Sequence, residues 1–395
     1  MDNKPLPSAE KEDFSLVLGG PLYQLFLRTK LARPTMDLVH RRIIASVVVT
    51  WLPLVVLTIL AGTFASGVTV PFFYDLGNLR FLITLPLLIG AELIVHRRIR
   101  GVVQAFLDRE LVAPEDRPRF QSLIARSMRL RNSVIVEVSL LLLSFTGGYW
   151  LWRSYATLNV STWYTSAADG AIQLNMAGYC FAFVSLPILR FIVLRWYFRL
   201  FNWYLFLWRV SRLRLRLNPL HPDRAGGLGF LELTVTAFQP VLIAQSVFMA
   251  AIIGNKILHE RAKLPDFKAE IAIFIVILML MVLLPLTFFV MQMVEAKLAA
   301  SREYGQLASR YADDFRQKWF QSGKPPDEAL LGTADIQSLA DLANSFEVVR
   351  GMHALPFDRK TVVRLAILIA LPMLPLILTM IPLDELLERL LRLLM

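Results

Sequence analysis

Seven apolar runs, at about residues 43–66, 80–96, 133–152, 172–194, 232–254, 270–294 and 361–383, alternate with polar stretches along the 395-residue chain. About 20 apolar residues in a helix cross a hydrocarbon core ~30 Å thick, and most of these runs reach that length. The pattern predicts an all-α fold: a polytopic transmembrane helical bundle of seven spans with a cytosolic helical layer. It divides the chain into a cytosolic N-terminal segment with an interfacial helix (1–42), six spans with basic loops (43–294), a cytosolic helical segment (295–360), and a last span with an amphipathic end (361–395).

Local signals refine these bounds. Residues 1–20 are polar and read as loose, and Pro21 opens a short apolar helix suited to a membrane surface. Thr35, Thr333 and Asp358 stand where N-caps are wanted, and Gly351 stands where a helix should end. Gly323 to Pro326 reads as a break, while Pro372, Pro375 and Pro382 should bend or interrupt the last span.

Charge then orients the bundle. Of 42 Lys and Arg, 33 fall in segments 1–42, 97–132, 190–231 and 294–360, which the positive-inside rule puts in the cytosol. The reading is a multi-pass protein of a cell inner membrane, with its N-terminus cytosolic and its C-terminus outside. Because the +11 net charge is sorted between loops rather than gathered in one groove, a nucleic-acid partner is not expected.

The most basic stretch runs from Arg190 to Phe230. On one straight helix Arg195, Arg199, Asn202, Arg209, Arg212 and Arg216 share an arc of roughly 140° that Trp196, Trp203, Tyr197 and Tyr204 avoid. That arrangement suits a headgroup layer, with arginines on anionic phospholipid and rings at the interface. Arg199, Arg209, Arg212 and Arg216 are the headgroup candidates. In the following HPDRAGGLGF, Gly226 and Gly227 beside Arg224 can form a backbone cradle for a phosphate, or a turn capped by Asp223.

Ionisable groups inside spans are few. Glu92, Glu137 and Arg190 all lie in the cytosolic third of the bilayer, and either snorkel to the interface, form a structural ion pair, or make an ion or proton site. Gln239 and Gln245, around Pro240, either line a cavity or bond to neighbouring helices. HExxH, GxSxG, P-loop and dinucleotide fingerprints are absent from the sequence, and its five histidines are scattered. His221 with Asp223 is the one acid–base pairing for headgroup chemistry. A single cysteine, Cys180, excludes an intrachain disulfide. No cofactor or metal is expected.

The strings HPDRAGGLGFL (221–231) and GTADIQSLADL (332–342), followed by a proline-broken last span, resemble a family of uncharacterised bacterial polytopic integral membrane proteins. The resemblance covers roughly residues 190–395. It implies a bacterial inner membrane and carries over no activity and no site residue. The leading expectation is a non-enzymatic scaffold or signal-coupling subunit that binds a cytosolic protein through 295–358 and anionic lipid through its basic belt, with oligomers allowed. The alternatives are a transporter or channel for an ion or small anion, and a lipid-headgroup enzyme. A transporter would gather Glu92, Glu137, Arg190, Gln239 and Gln245 around one cavity, whereas a scaffold would spread them over separate contacts.

Overall fold

A computed structural model of the chain describes residues 14–29, 38–151, 161–168, 171–260, 262–321 and 334–380. The expected caps at Thr35 and Thr333, the break at Gly323 to Pro326, Pro382 and the amphipathic end lie outside these residues.

The described chain is helical apart from one small hairpin. In order come α1 (Pro21–Arg28), α2 (Val39–Leu60), α3 (Leu76–Asp108), α4 (Arg117–Arg131) and α5 (Val134–Leu151). Strands β1 (Thr165–Ala168) and β2 (Ala171–Leu174) pair antiparallel. Then follow α6 (Met176–Val210), α7 (Gly229–Glu260), α8 (Leu264–Gln321), α9 (Ala334–Arg350) and α10 (Arg359–Met380).

Six of these helices, α2, α3, α6, α7, α8 and α10, are long and apolar enough to cross a membrane. The expected third span is the shorter apolar helix α5, whose outward residues Ile135, Val138 and Leu142 remain exposed. α3 does not stop at the His96 cluster; it continues to Asp108. α8 likewise continues from its apolar part into a solvated arm, against which α9 packs. The last span behaves as its prolines require: Pro372 and Pro375 remove backbone donors, and α10 tightens from α-helix to 3-10 helix at Leu371. Asp358 caps it, accepting from Thr361 N at 2.7 Å.

The core runs where α3, α6 and α7 meet. Leu88, Val95, Ile99, Val102 and Phe106 repeat along one stripe of α3, and Trp196, Leu200, Trp203, Leu207 and Val210 along one stripe of α6. Trp196 Nε1 donates to Leu88 O at 3.0 Å, and its ring meets Phe238 of α7 edge-on. Phe106, Phe120, Phe206, Phe230 and Phe289 join five elements in one aromatic cluster.

This core corrects two expectations. Residues 14–17 are not loose: Phe14, Leu16 and Val17 are buried, with Phe14 against Trp203 and Phe206. Nor do all the rings of α6 lie at the surface: Tyr197 is exposed and Tyr204 half-buried, but Trp196 and Trp203 are wholly buried. A tryptophan supplies the largest apolar area of any side chain, and here the core takes it.

Candidate functional site

The arginine arc of α6 faces inward. Glu92 on α3 is 6% exposed and sits between two guanidiniums: Arg42 of α2 on one oxygen, and Arg199 of α6 at 2.7 Å on the other. Arg199, expected at headgroups, is thus an internal residue, only 5% exposed. Four residues before it, Arg195 approaches Glu137 of α5 at 3.3 Å. Three residues after it, Asn202 exchanges hydrogen bonds with Ser127 of α4 at 3.0 Å. Each polar residue of the arc from 195 to 202 therefore has a partner on a different helix. The spacing that looked like a surface stripe is a seam.

Glu137 also organises the N-terminal segment. Its Oε2 accepts from Leu22 N at 3.1 Å, so a carboxylate stands at the N-terminus of α1, where the helix dipole favours it. Gly19 and Gly20 bring the chain there at φ 145° and 89°, and a Cβ on Gly19 would collide with Arg131 and Asn132. Arg131, at the end of α4, donates to Ser15 O at 2.6 Å. Its burial, with the Arg199 guanidinium nearby, presses its pKa down to about 10.

Arg190 is not part of this cluster. Among the described residues it makes no ion pair, and the role expected of it with Glu92 is taken by Arg42 and Arg199. The sequence alone could not show this. An arginine of α2, 50 positions from Glu92, has no local pattern linking the two.

Beside the charged cluster lies a cleft of about 490 Å³ between α2, α5 and α6. Val49, Leu141, Phe145, Phe183 and Val184 line it, each 40% to 51% exposed, together with Arg42, Glu92 and Arg195.

Gln239 and Gln245 do not join the cleft. Gln239 is half-buried, and Gln245 is buried with an Nε2 that has no hydrogen-bond partner among the described residues. α7 runs through Pro240 without interruption.

The loop HPDRAGGLGF is a knot closed by its own carboxylate. Asp223 accepts from the backbone N–H of Ala225 at 2.8 Å, Gly227 at 3.1 Å and Gly229 at 3.0 Å. Burial works against its charge, yet these three donors and His221 hold its pKa below the ordinary carboxylate range. The phosphate cradle expected at Gly226 and Gly227 is therefore filled from within. The glycines serve this closure: Gly226 and Gly227 stand at φ 65° and 96°, and Met352 and Leu111 leave almost no room for a Cβ. The His221 ring is turned into the same loop, where its Nδ1 accepts from Asp223 N at 3.2 Å. Arg212, Arg216 and Arg224 are exposed on the connection beyond α6, and Arg209 is half-buried at the helix end.

The knot ties the arm to the bundle. His353 N donates to Arg224 O at 2.7 Å, Lys297 Nζ of α8 donates to Met352 O at 2.7 Å, and Thr361 of α10 bonds to Glu232 of α7. The two strings singled out in the sequence thus meet: the helix begun by the second ends on the loop made by the first.

At the hairpin end a second carboxylate is buried. Asp75 accepts from Trp163 Nε1 at 2.8 Å, Asn255 Nδ2 at 2.6 Å and Gly77 N at 2.6 Å. Sequence reasoning missed this node. Its one signal is Asn255, a polar residue at the end of an apolar run.

Among the described residues no group of three or more His, Cys, Asp or Glu is placed to hold a metal ion. Together these features define the class: an all-helical protein with six helices of membrane-spanning length and apolarity among its described residues. No family model, curated protein or solved structure matches the chain.

Proposed function

We propose that the chain is a non-enzymatic, multi-pass protein of a bacterial inner membrane that couples its membrane domain to a cytosolic protein partner through α8 and α9. Counting α5, seven crossings put the N-terminus and the knot in the cytosol and the C-terminus outside, in accord with the distribution of Lys and Arg.

The observation that carries this reading is the dispersal of the intramembrane polar groups. Glu92 and Glu137 are taken up by arginines, Arg190 and Gln239 stand apart, and Gln245 is buried elsewhere. Of the five, the cleft between α2, α5 and α6 is lined by Glu92 alone, whereas a transport path would gather them. The hydrogen bonds from His353 to Arg224 and from Lys297 to Met352 favour a stiff arm that moves with the bundle. Leu298, Leu307 and Ile336 leave apolar surface on that arm.

Photo-crosslinkers at Leu307, on the arm, and at Ile135, on α5, test the reading in living cells. It expects a discrete protein adduct at Leu307 and only lipid at Ile135. Ion or anion flux through proteoliposomes of the purified protein would contradict it.

A further inference from the structure

Arg190 of α6 faces away from the polar seam. Nine residues separate it from Arg199, which puts the two about 180° apart on the helix. Between Leu186 and Val210 the exposed side chains of α6 are Tyr197, Phe201 and Trp208. They follow Arg190 by 7, 11 and 18 residues, so all three stand within about 20° of it. Arg190, half-buried, is thus the charge on an outward aromatic stripe.

That stripe runs through the depth of the membrane. α6 extends from Met176 to Val210, well past the span end expected near residue 194, and Arg190 lies about 21 Å from its first residue and about 30 Å from its last. A ~30 Å hydrocarbon core centred on the helix leaves Arg190 about 10 Å inside the nearer boundary. Among the described residues it has neither an ion pair nor a hydrogen bond, and the charge that reaches it is another guanidinium, Arg80. An unpaired guanidinium is costly at that depth, where charged groups pair with one another.

The carboxylates of the neighbouring helices are already committed, Glu92 to Arg42 and Arg199, and Glu137 to Arg195. A second copy docked through the same stripe would set Arg190 against Arg190, because a two-fold interface pairs each patch with itself. We propose that the α6 stripe docks a transmembrane helix of a different membrane protein, one that carries an Asp or Glu at the depth of Arg190. The guanidinium fixes the register of that helix through a charge-assisted hydrogen bond, and Tyr197, Phe201 and Trp208 supply packing surface along it. The proposal rests on the membrane embedding of α6, and is independent of the cytosolic coupling through α8 and α9.

The test is binding of two Leu-rich transmembrane peptides, one with a single central Glu and its twin with Gln there, to the full chain in phosphatidylcholine nanodiscs. Energy transfer between labelled chain and labelled peptide reads it. The parent should bind the Glu peptide about tenfold more tightly than the Gln peptide, the scale of a polar contact between helices in lipid. Arg190→Gln should erase that preference with the thermal midpoint unchanged, whereas Phe201→Ala should weaken both peptides and keep it. Equal binding of the two peptides by the parent would overturn the proposal, as would a preference that survives in Arg190→Gln. A preference lost when phosphatidylglycerol replaces phosphatidylcholine would assign Arg190 to lipid headgroups and overturn it too. Should Arg190→Gln fail to fold, a third peptide with its Glu at one end decides. It should bind no better than the Gln peptide, and binding as tight as that of the central Glu would overturn the match in depth.

Discussion

Two carboxylates are buried among the described residues, and they are held in opposite ways. Asp75, at the hairpin end, takes its hydrogen bonds from neutral donors, an indole, an amide and a backbone N–H, with the Arg80 guanidinium beside it at Gly77. Glu92, farther along α3, is gripped by two guanidiniums from α2 and α6. The hydrogen bonds of Asp75 tie Trp163, Asn255 and Gly77 together as a cap. The Glu92 cluster joins α2, α3 and α6 through opposite charges and adjoins an apolar cleft. The difference lies in what hydrogen-bonds each carboxylate, neutral donors at Asp75 and guanidiniums at Glu92.

The comparison breaks most sharply at Glu92. Glu92→Gln strands Arg42 and Arg199 in the interior and should cost about 3–5 kcal/mol in thermal or denaturant unfolding of the detergent-solubilised protein. A cost under about 1 kcal/mol would show that water reaches both arginines.

Asp75→Asn is milder, because its hydrogen-bond partners are neutral and only one acceptor oxygen remains for three donors. The expected cost is about 1–3 kcal/mol, with the loss centred on the hairpin. Protection of the Trp163 indole N–H against hydrogen exchange should fall.

Asp223→Ala should cost about 1–2 kcal/mol by leaving the N–H groups of Ala225, Gly227 and Gly229 without their acceptor. This effect depends on pH. Because the folded pKa of Asp223 is depressed, its contribution is fully present above the unfolded carboxylate pKa and is lost as pH falls through the lower, folded value. Parent and variant should therefore differ at neutral pH and converge in acid. A gap that persists in acid would mean that shape rather than charge closes the knot.

Arg190→Gln is the smallest. Arg190 has no ion pair among the described residues, so the change should stay within about 0.5 kcal/mol in the same unfolding assay. A loss of several kcal/mol would restore it to the charged cluster.

What could be read from the sequence follows the range of the interactions involved. Apolar runs, the Asp358 cap and the proline effect in α10 are local, and six of the seven runs lie in helices of spanning length, the third in the shorter α5. The glycine loop was legible as a turn, but its phosphate cradle was not testable without knowing that Asp223 folds back into it. The arginine arc was legible as an arc and ambiguous as a surface. Arginines spaced along one helix face suit phosphates outside the bundle or carboxylates inside it, and the deciding partners on α2, α3 and α5 are distant in sequence. Phe14, Leu16 and Val17 were obscured by polar neighbours, since three apolar residues in a short segment make no periodic signal.

The central claim is that Glu92 and Arg199 act as one unit that pins α3 to α6. A double-mutant cycle of Glu92→Gln and Arg199→Gln, followed by unfolding in detergent, measures that directly. The account predicts that the double variant loses less than the two single losses together, with a coupling of about 2–3 kcal/mol. Losses that add to within about 0.5 kcal/mol would mean that the two side chains do not interact, and would contradict it.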